Sequence, residues 1–208
     1  MRCALIGILT CLFLSTSPSF GAETDRCAVV SVPDQKIAIV ENGSIVAHYP
    51  VSTSRYGIGD RFNSYATPVG YLEVAGKIGD RAPMGAVFRN RRMTGEILPP
   101  NSTGRDPIVT RILWLRGLEA SNANAFSRNI YIHGTPVENL IGRPASYGCI
   151  RMRSRDVVQL FNMMPVGARV EISVAPLQRA IASLNASSRV ALDAAVAGGY
   201  RVASNTRP

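Results

Sequence analysis

A histidine and a cysteine in the second half of the chain are the residues best suited to chemistry. His133 lies 16 positions before Cys149, within the segments His-Gly-Thr-Pro and Ser-Tyr-Gly-Cys-Ile-Arg-Met. A thiol is an effective nucleophile only as the thiolate, so a catalytic cysteine needs a base or positive charge close to it. His133 is the candidate base, and Arg151 and Arg153 are the candidate positive charges. This pattern predicts acyl transfer through Cys149.

Small residues around the pair could complete such a site. Gly134 directly follows the histidine, and its carbonyl oxygen could accept the imidazole N–H and so fix the tautomer. Gly148 permits a tight bend that would direct the amides of Tyr147, Gly148 and Cys149 at a developing oxyanion. Ser146 belongs to the same turn. We therefore predict that the turn lines the oxyanion or substrate-binding site.

Two residues have alternative interpretations. Arg151 could bind a substrate carboxylate through its guanidinium, or it could form an ion pair that supports the loop. Cys149 could form a disulfide with Cys27. We interpret Cys149 as a free nucleophile, because it follows a glycine in a turn whereas Cys27 lies near the start of the domain. One histidine and one cysteine are too few ligands for zinc, so no metal is expected.

The N-terminus predicts export. Arg2 is followed by a short apolar run and then by small residues, which is typical of a secretory signal peptide over residues 1–22. No later segment is apolar enough to span a bilayer, so we expect a mature protein in the periplasm or cell envelope without a membrane span.

The chain is basic. Its 23 Lys and Arg against 14 Asp and Glu give a net charge of +9, and removal of Arg2 with the signal peptide leaves +8. Such a charge suits an anionic polymer of the cell envelope. Nucleic acid is not an expected partner, because the arginines are scattered and no basic run with interleaved aromatic residues is present.

The elements that must position the pair are mostly strands. Short β-branched runs alternate with turn residues, and the first three predict a meander. We therefore predict one mainly β domain over residues 26–174. The predicted strands cover residues 27–32, 36–40, 45–49, 70–74, 108–115, 129–133 and 168–173.

Outside the strands the pattern changes. Residues 76–107 are rich in glycine, proline and arginine with little periodicity, which predicts a functional loop region. A short helix is expected after the cysteine, with Ser154 as its N-cap and an end at Pro165. Residues 175–208 form a helical or disordered extension, with a helical period that ends at Gly198-Gly199. Trp114, inside an apolar strand, is predicted to be a core residue.

The chain resembles the YkuD-type L,D-transpeptidase catalytic domain family of bacterial cell-wall enzymes. The family pattern is a histidine, a gap, and Ser/Thr-His-Gly-Cys followed by an apolar residue and Asn or Arg. Here Tyr147 stands where many members carry a second histidine; because tyrosine is no base near neutral pH, it is expected to shape the pocket, bind substrate or pack. The resemblance covers roughly residues 26–172 and includes further blocks at residues 51–57, 67–70, 111–115 and 130–133.

The resemblance implies a fold and a reaction. The fold is a single-domain β-sandwich of mixed sheets, and no metal or organic cofactor is needed. Cys149 attacks the carbonyl that links the diamino acid of a peptidoglycan stem tetrapeptide to its terminal D-Ala, with His133 as proton acceptor and donor. D-Ala leaves, and an amine of another stem takes the acyl group to form a 3-3 cross-link.

Other outcomes of the same chemistry stay open at this point. The acceptor could instead be water, a free D-amino acid or the lysine of a wall-attached lipoprotein. An L,D-carboxypeptidase or a lipoprotein-releasing hydrolase would use the same cysteine and histidine. A non-catalytic basic wall-binding protein is the remaining alternative.

Overall fold

The computed structural model describes residues 26–102 and 104–203, so the predicted signal peptide lies outside the described residues. These residues form mostly strands, which confirms the mainly β prediction. The elements are β1 (Arg26–Ser31), β2 (Lys36–Glu41), β3 (Ser44–Pro50), β4 (Gly70–Ile78), β5 (Ala86–Arg89), β6 (Arg92–Ile97), β7 (Ile108–Gly117), β8 (Tyr131–Gly134), β9 (Ile150–Met152), α1 (Ser154–Met163), β10 (Arg169–Ser173) and α2 (Leu177–Ala203), with short 3-10 helices at Ala120–Asn122 and Glu138–Leu140.

Hydrogen bonds join these strands into one continuous mixed sheet. The main path runs in the order β3-β2-β1-β10-β4-β7-β5-β6, and β8 and β9 branch from β7. The predicted meander is present as β1, β2 and β3. Two strand pairs are parallel, β1 with β10 and β8 with β9. The sheets of the predicted sandwich are therefore parts of a single sheet.

The main core lies between distant parts of this sheet. Ile37 and Ile39 of β2 belong to the same buried cluster as Ile132 of β8 and Ile150 of β9. These strands lie far apart along the hydrogen-bonded path, so the sheet must fold over on itself to bring them together. α1 closes the cluster with Leu160 and its neighbours.

Three strands were not predicted. β5 and β6 lie in the segment expected to be a loop, because β6 is mostly exposed and carries no alternation of apolar and polar residues. β9 has three residues and is too short for any periodicity. Pairing with β7 and β8, which the sequence does not reveal, holds β5 and β9 in place.

The helix α1 begins and ends near the predicted residues but has a different cap. Arg153 occupies the N-cap position and makes no side-chain capping bond. Ser154 is the first helical residue, and its amide donates to the carboxylate of Glu138 at 2.8 Å. The prediction of Ser154 as N-cap is wrong, because an acid 16 residues away satisfies the free amide.

The C-terminal helix α2 covers the opposite end of the sheet. Leu177, Ile181 and Leu184 pack against Cys27 and Val40 in a second buried cluster, as their helical spacing predicts. The helix runs to Ala203, so the prediction that it ends at Gly198-Gly199 is wrong. Within residues 26–102 and 104–203, no helix combines the length and apolar character needed to cross a membrane.

Candidate active site

The parallel pair β8 and β9 sorts its side chains onto two faces. Ile132 is the register partner of Ile150, and both lie in the main core. Successive side chains of a strand point to opposite faces, so the next register pair, His133 and Arg151, faces away from that core. Cys149 directly precedes β9 and shares this second face. The predicted base and nucleophile are thus positioned by one strand pair.

The thiol of Cys149 is half-buried and bonded to backbone groups. Its Sγ lies 3.4 Å from the amide nitrogen of Tyr131, which donates to it, and donates in turn to the carbonyl oxygen of Asn129 at 3.5 Å. Burial raises the pKa of the thiol to about 11, although the Tyr131 amide, Arg151 and Arg128 act in the opposite direction. The thiol is therefore protonated at rest, because desolvation outweighs its positive neighbours; of these, the sequence suggested Arg151 but not Arg128.

His133 is buried and neutral. Its Nδ1 lies 2.8 Å from the carbonyl oxygen of Gly134, the contact expected from the sequence. A carbonyl accepts only from an N–H, so the proton is on Nδ1 and Nε2 is free to accept one. Burial lowers the pKa of the imidazole to about 4; the Gly134 hydrogen bond raises it, Arg151 lowers it and Asp106 raises it.

The approach of β7 explains the glycine next to the histidine. A Cβ atom on Gly134 would lie 2.7 Å from the carbonyl oxygen of Val109, closer than real Cβ atoms come. Only glycine fits there without movement of the backbone. In the part of the chain that the structure describes, no hydrogen bond joins His133 to the sulfur of Cys149.

The turn before the nucleophile is held by two hydroxyl groups. Ser146 Oγ accepts from the amide of Gly148 at 3.2 Å and donates to the carbonyl oxygen of Cys149 at 2.6 Å. Thr67 Oγ1 donates to the carbonyl oxygen of Gly148 at 3.0 Å. Gly148 has a φ of +116°, a conformation that favours glycine, and a Cβ there would lie 3.2 Å from the Ala66 oxygen.

These contacts narrow the candidate oxyanion donors. Of the three predicted amides, that of Gly148 is occupied by Ser146. The amides of Tyr147 and Cys149 make no hydrogen bond within residues 26–102 and 104–203. They are the two donors available to an oxyanion. Ser146 is a positioning residue for the turn.

Arg151 forms the ion pair that the sequence left open as an alternative. Its guanidinium is buried, pairs with the carboxylate of Asp106 and donates to the carbonyl oxygen of Ala145 at 3.2 Å. Asp106 also accepts a hydrogen bond from Thr135 Oγ1.

Arg153 is exposed at the start of α1. Sequence reasoning missed Asp106, because it is a single acid in an aperiodic segment. The one signal that could have marked it is the excess of basic over acidic residues, which makes each acid a candidate partner for an arginine.

No metal site accompanies these groups in the described ranges. No group of three or more histidine, cysteine, aspartate or glutamate side chains lies close enough together there to hold a metal ion.

Comparison with known proteins decides the family. Residues 25–172 match the sequence profile of the YkuD family, the L,D-transpeptidase catalytic domain. The chain belongs to this family. It is 28% identical over 150 residues to YqjB of Bacillus subtilis, whose name proposes L,D-transpeptidase activity, and the match covers 72% of each chain. It is 38% identical over 80 residues to YkuD of the same organism, a match that covers 38% of this chain and about half, 49%, of that relative.

Solved structures of L,D-transpeptidases also align with the chain. L,D-transpeptidase 3 from Mycobacterium tuberculosis, in complex with a faropenem-derived adduct, aligns with a TM-score of 0.48 at 18% identity. The alignment covers 72% of this chain and 60% of that one.

Tyr147, the departure from the L,D-transpeptidase motif, lies at the surface beside the nucleophile. Its side chain is 51% exposed, which excludes a role in the core. Its ring centroid lies 5.6 Å from that of Tyr56 and 6.0 Å from that of Tyr65, and the guanidinium of Arg55 lies 5.0 Å over the ring. Sequence reasoning did not single out these three neighbours, which are distant in the chain. They form an aromatic rim around Tyr147, at the position where the family pattern has a histidine.

Proposed function

We propose that the protein is an exported cysteine L,D-transpeptidase that acts on peptidoglycan stem tetrapeptides. The observation that carries the proposal is the shared face of β8 and β9. It presents Cys149 and a neutral His133 whose tautomer is fixed by Gly134, next to a turn with unoccupied amides. Family membership supports an acyl-transfer enzyme of the cell wall.

In the first step, the sulfur of Cys149 attacks the carbonyl carbon of the diamino acid that is bonded to D-Ala. The thiol proton passes to Nε2 of His133. Both groups are neutral at rest, so this transfer accompanies the attack and does not precede it. The amides of Tyr147 and Cys149 stabilise the oxyanion, where one such donor contributes about 2.7–4 kcal/mol. The C–N bond then breaks, and D-Ala leaves with the proton from His133.

In the second step, the amine of another stem attacks the thioester. His133 takes a proton from that amine, the C–S bond breaks, and the sulfur regains a proton. The product is a 3-3 cross-linked dimer. Water as acceptor would give a tripeptide, and a lysine of a wall-attached lipoprotein would give an attached protein.

Purified enzyme and disaccharide tetrapeptide, analysed by mass spectrometry, test the proposal. We expect cross-linked dimers and free D-Ala with the wild type, and neither with Cys149→Ala. Tripeptide monomers without dimers would instead identify a carboxypeptidase. A stable carbapenem adduct on Cys149 would exclude a non-catalytic wall-binding protein, whereas wall binding without any turnover or adduct would contradict the proposal.

The site of action has its own test. Fractionation of cells that produce the full chain should place the protein in the periplasm, and N-terminal sequencing should show that residues 1–22 are removed. Retention of the uncleaved chain in the cytoplasm would contradict export.

A further inference from the structure

The turn between β5 and β6 holds an arginine in an unfavourable backbone conformation. Asn90 and Arg91 connect the two strands, with φ values of +50° and +65°. Asparagine tolerates this left-handed region, but a long side chain such as arginine enters it at a cost of about 1 kcal/mol or more. Such a conformation persists only where surrounding contacts hold it.

Three contacts hold Arg91 in place. Its guanidinium lies 4.4 Å over the ring of Trp114. Its Nη1 donates to Asn129 Oδ1 at 2.9 Å and to the hydroxyl of Tyr131 at 3.2 Å. Trp114 also stacks on Phe126 at 4.0 Å, meets Tyr131 edge-on and donates from Nε1 to the carbonyl oxygen of Phe126 at 3.1 Å. The tryptophan, predicted to be a core residue, is half-buried and packs at the margin of a buried cluster, with the arginine over its ring.

Two further arginines flank this turn without an acidic partner. Arg89 and Arg92 are exposed and are direct register partners across the hairpin. Like charges directly opposite each other in a sheet destabilise it. Among the ion pairs of residues 26–102 and 104–203, none involves Arg89, Arg91 or Arg92. A bound anion would relieve this repulsion.

A groove of about 680 Å³ lies where these arginines meet the tryptophan. It is lined by Ile78, Arg89, Asn90, Arg91, Arg92 and Trp114.

The groove is connected to the nucleophile through two residues. Asn129 binds Arg91 through its side chain and accepts from the thiol of Cys149 through its carbonyl oxygen. Tyr131 binds Arg91 through its hydroxyl and the thiol through its amide. Asn129 and Tyr131 therefore contact both an arginine of the groove and the thiol of Cys149.

We propose that this groove binds the free carboxylate of the diamino acid residue whose carbonyl Cys149 attacks. Guanidinium groups match a carboxylate in charge and planar geometry. That residue is bonded to the sulfur during the reaction, so its side chain starts at the atom that Asn129 and Tyr131 contact. The inference rests on the proposed function and names the substrate group that the function leaves unassigned.

The test uses two tetrapeptide donors that differ at one group. One carries diaminopimelate with its free carboxylate, and the other carries the same residue as the carboxamide. The full-length Arg89→Gln/Arg92→Gln protein should show a KM about tenfold higher than wild type for D-Ala release from the carboxylate donor, with kcat within about twofold. Wild type and variant should be alike with the carboxamide donor.

A matched control separates the groove from net charge. Arg179 and Arg189 are exposed on α2, at the other end of the sheet, so Arg179→Gln/Arg189→Gln removes the same charge away from the groove. It should behave as wild type with both donors. An equal loss in the control, or an equal loss with both donors in the Arg89→Gln/Arg92→Gln protein, would overturn the proposal.

Failure of the proposed function would be visible separately. If wild type released no D-Ala from either donor, the proposed function would fail. Binding of the two peptides to Cys149→Ala protein would then decide on the groove. A preference of about tenfold for the carboxylate peptide that disappears on adding Arg89→Gln/Arg92→Gln would support it, and no preference would refute it.

Discussion

Replacing His133 with asparagine is expected to remove a pH dependence of folding that the wild type shows between about pH 4 and 6.5. Burial lowers the pKa of this imidazole from 6.5 to about 4 in the folded protein. Between pH 4 and 6.5 the imidazole binds a proton in the unfolded chain but stays neutral in the folded chain. The free energy of unfolding that the neutral ring contributes is therefore complete above pH 6.5 and is lost as the pH falls toward 4. The difference between the two pKa values corresponds to about 3 kcal/mol of the free energy of unfolding.

Asparagine is the suitable replacement, because its amide can donate to the Gly134 carbonyl as Nδ1 does and has no proton to gain. Urea unfolding at several pH values, followed by the fluorescence of Trp114, the single tryptophan of the sequence, measures the free energies. The stability difference between wild type and variant should shrink by about 3 kcal/mol from pH 7 to pH 4.

The second histidine provides the control. His48 lies exposed on β3, so His48→Asn should follow the wild-type pH dependence. The difference in free energy of unfolding between wild type and His133→Asn could instead change by less than about 1 kcal/mol over this pH range. That result would show that the fold does not hold the imidazole neutral.

Four further outcomes follow from the site. Gly148→Ala should cost about 2 kcal/mol of stability and most of the acylation rate. Gly142 also has a positive φ but has open space around it, so Gly142→Ala should keep the acylation rate. Equal acylation rates in the two variants would contradict the role of the turn. Asp106→Asn leaves a buried guanidinium unpaired and should lower the free energy of unfolding by about 3 kcal/mol, measured in urea. Alkylation of Cys149 by iodoacetamide should rise with pH toward a midpoint near 11, and a midpoint below 8 would contradict a thiol that is protonated at rest. Tyr147→His should be tolerated in a carbapenem acylation assay, because the tyrosine lies on the rim; loss of acylation would assign it a direct role.

The sequence predicted the elements whose residues interact locally. Short apolar, β-branched runs mark β1, β2 and β7, which are buried along most of their length, and the short loops between the first three strands define the meander. The hydrogen bond between His133 and Gly134 was also predictable, since it joins adjacent residues.

What the sequence could not show depends on contacts between distant segments. Glu138 caps α1, and Asp106 binds Arg151, across loops that no local pattern connects. The resting pKa of Cys149 was misjudged for the same reason, because nearby arginines can be read from a sequence but desolvation cannot. The hairpin of β5 and β6 was missed because exposed strands lose the periodicity that burial imposes.

The two-faced strand pair β8 and β9 has a consequence for redesign. Ile132 and Ile150 hold the two strands on the main core, while the adjacent positions on the other face carry His133, Arg151 and Cys149 of the proposed site. New donor or acceptor preferences are therefore better sought at exposed positions such as Tyr147, with the buried set unchanged. Conversely, repacking the buried isoleucines would shift Cys149 and His133 together, so the core of this domain would also align the two groups of the proposed reaction.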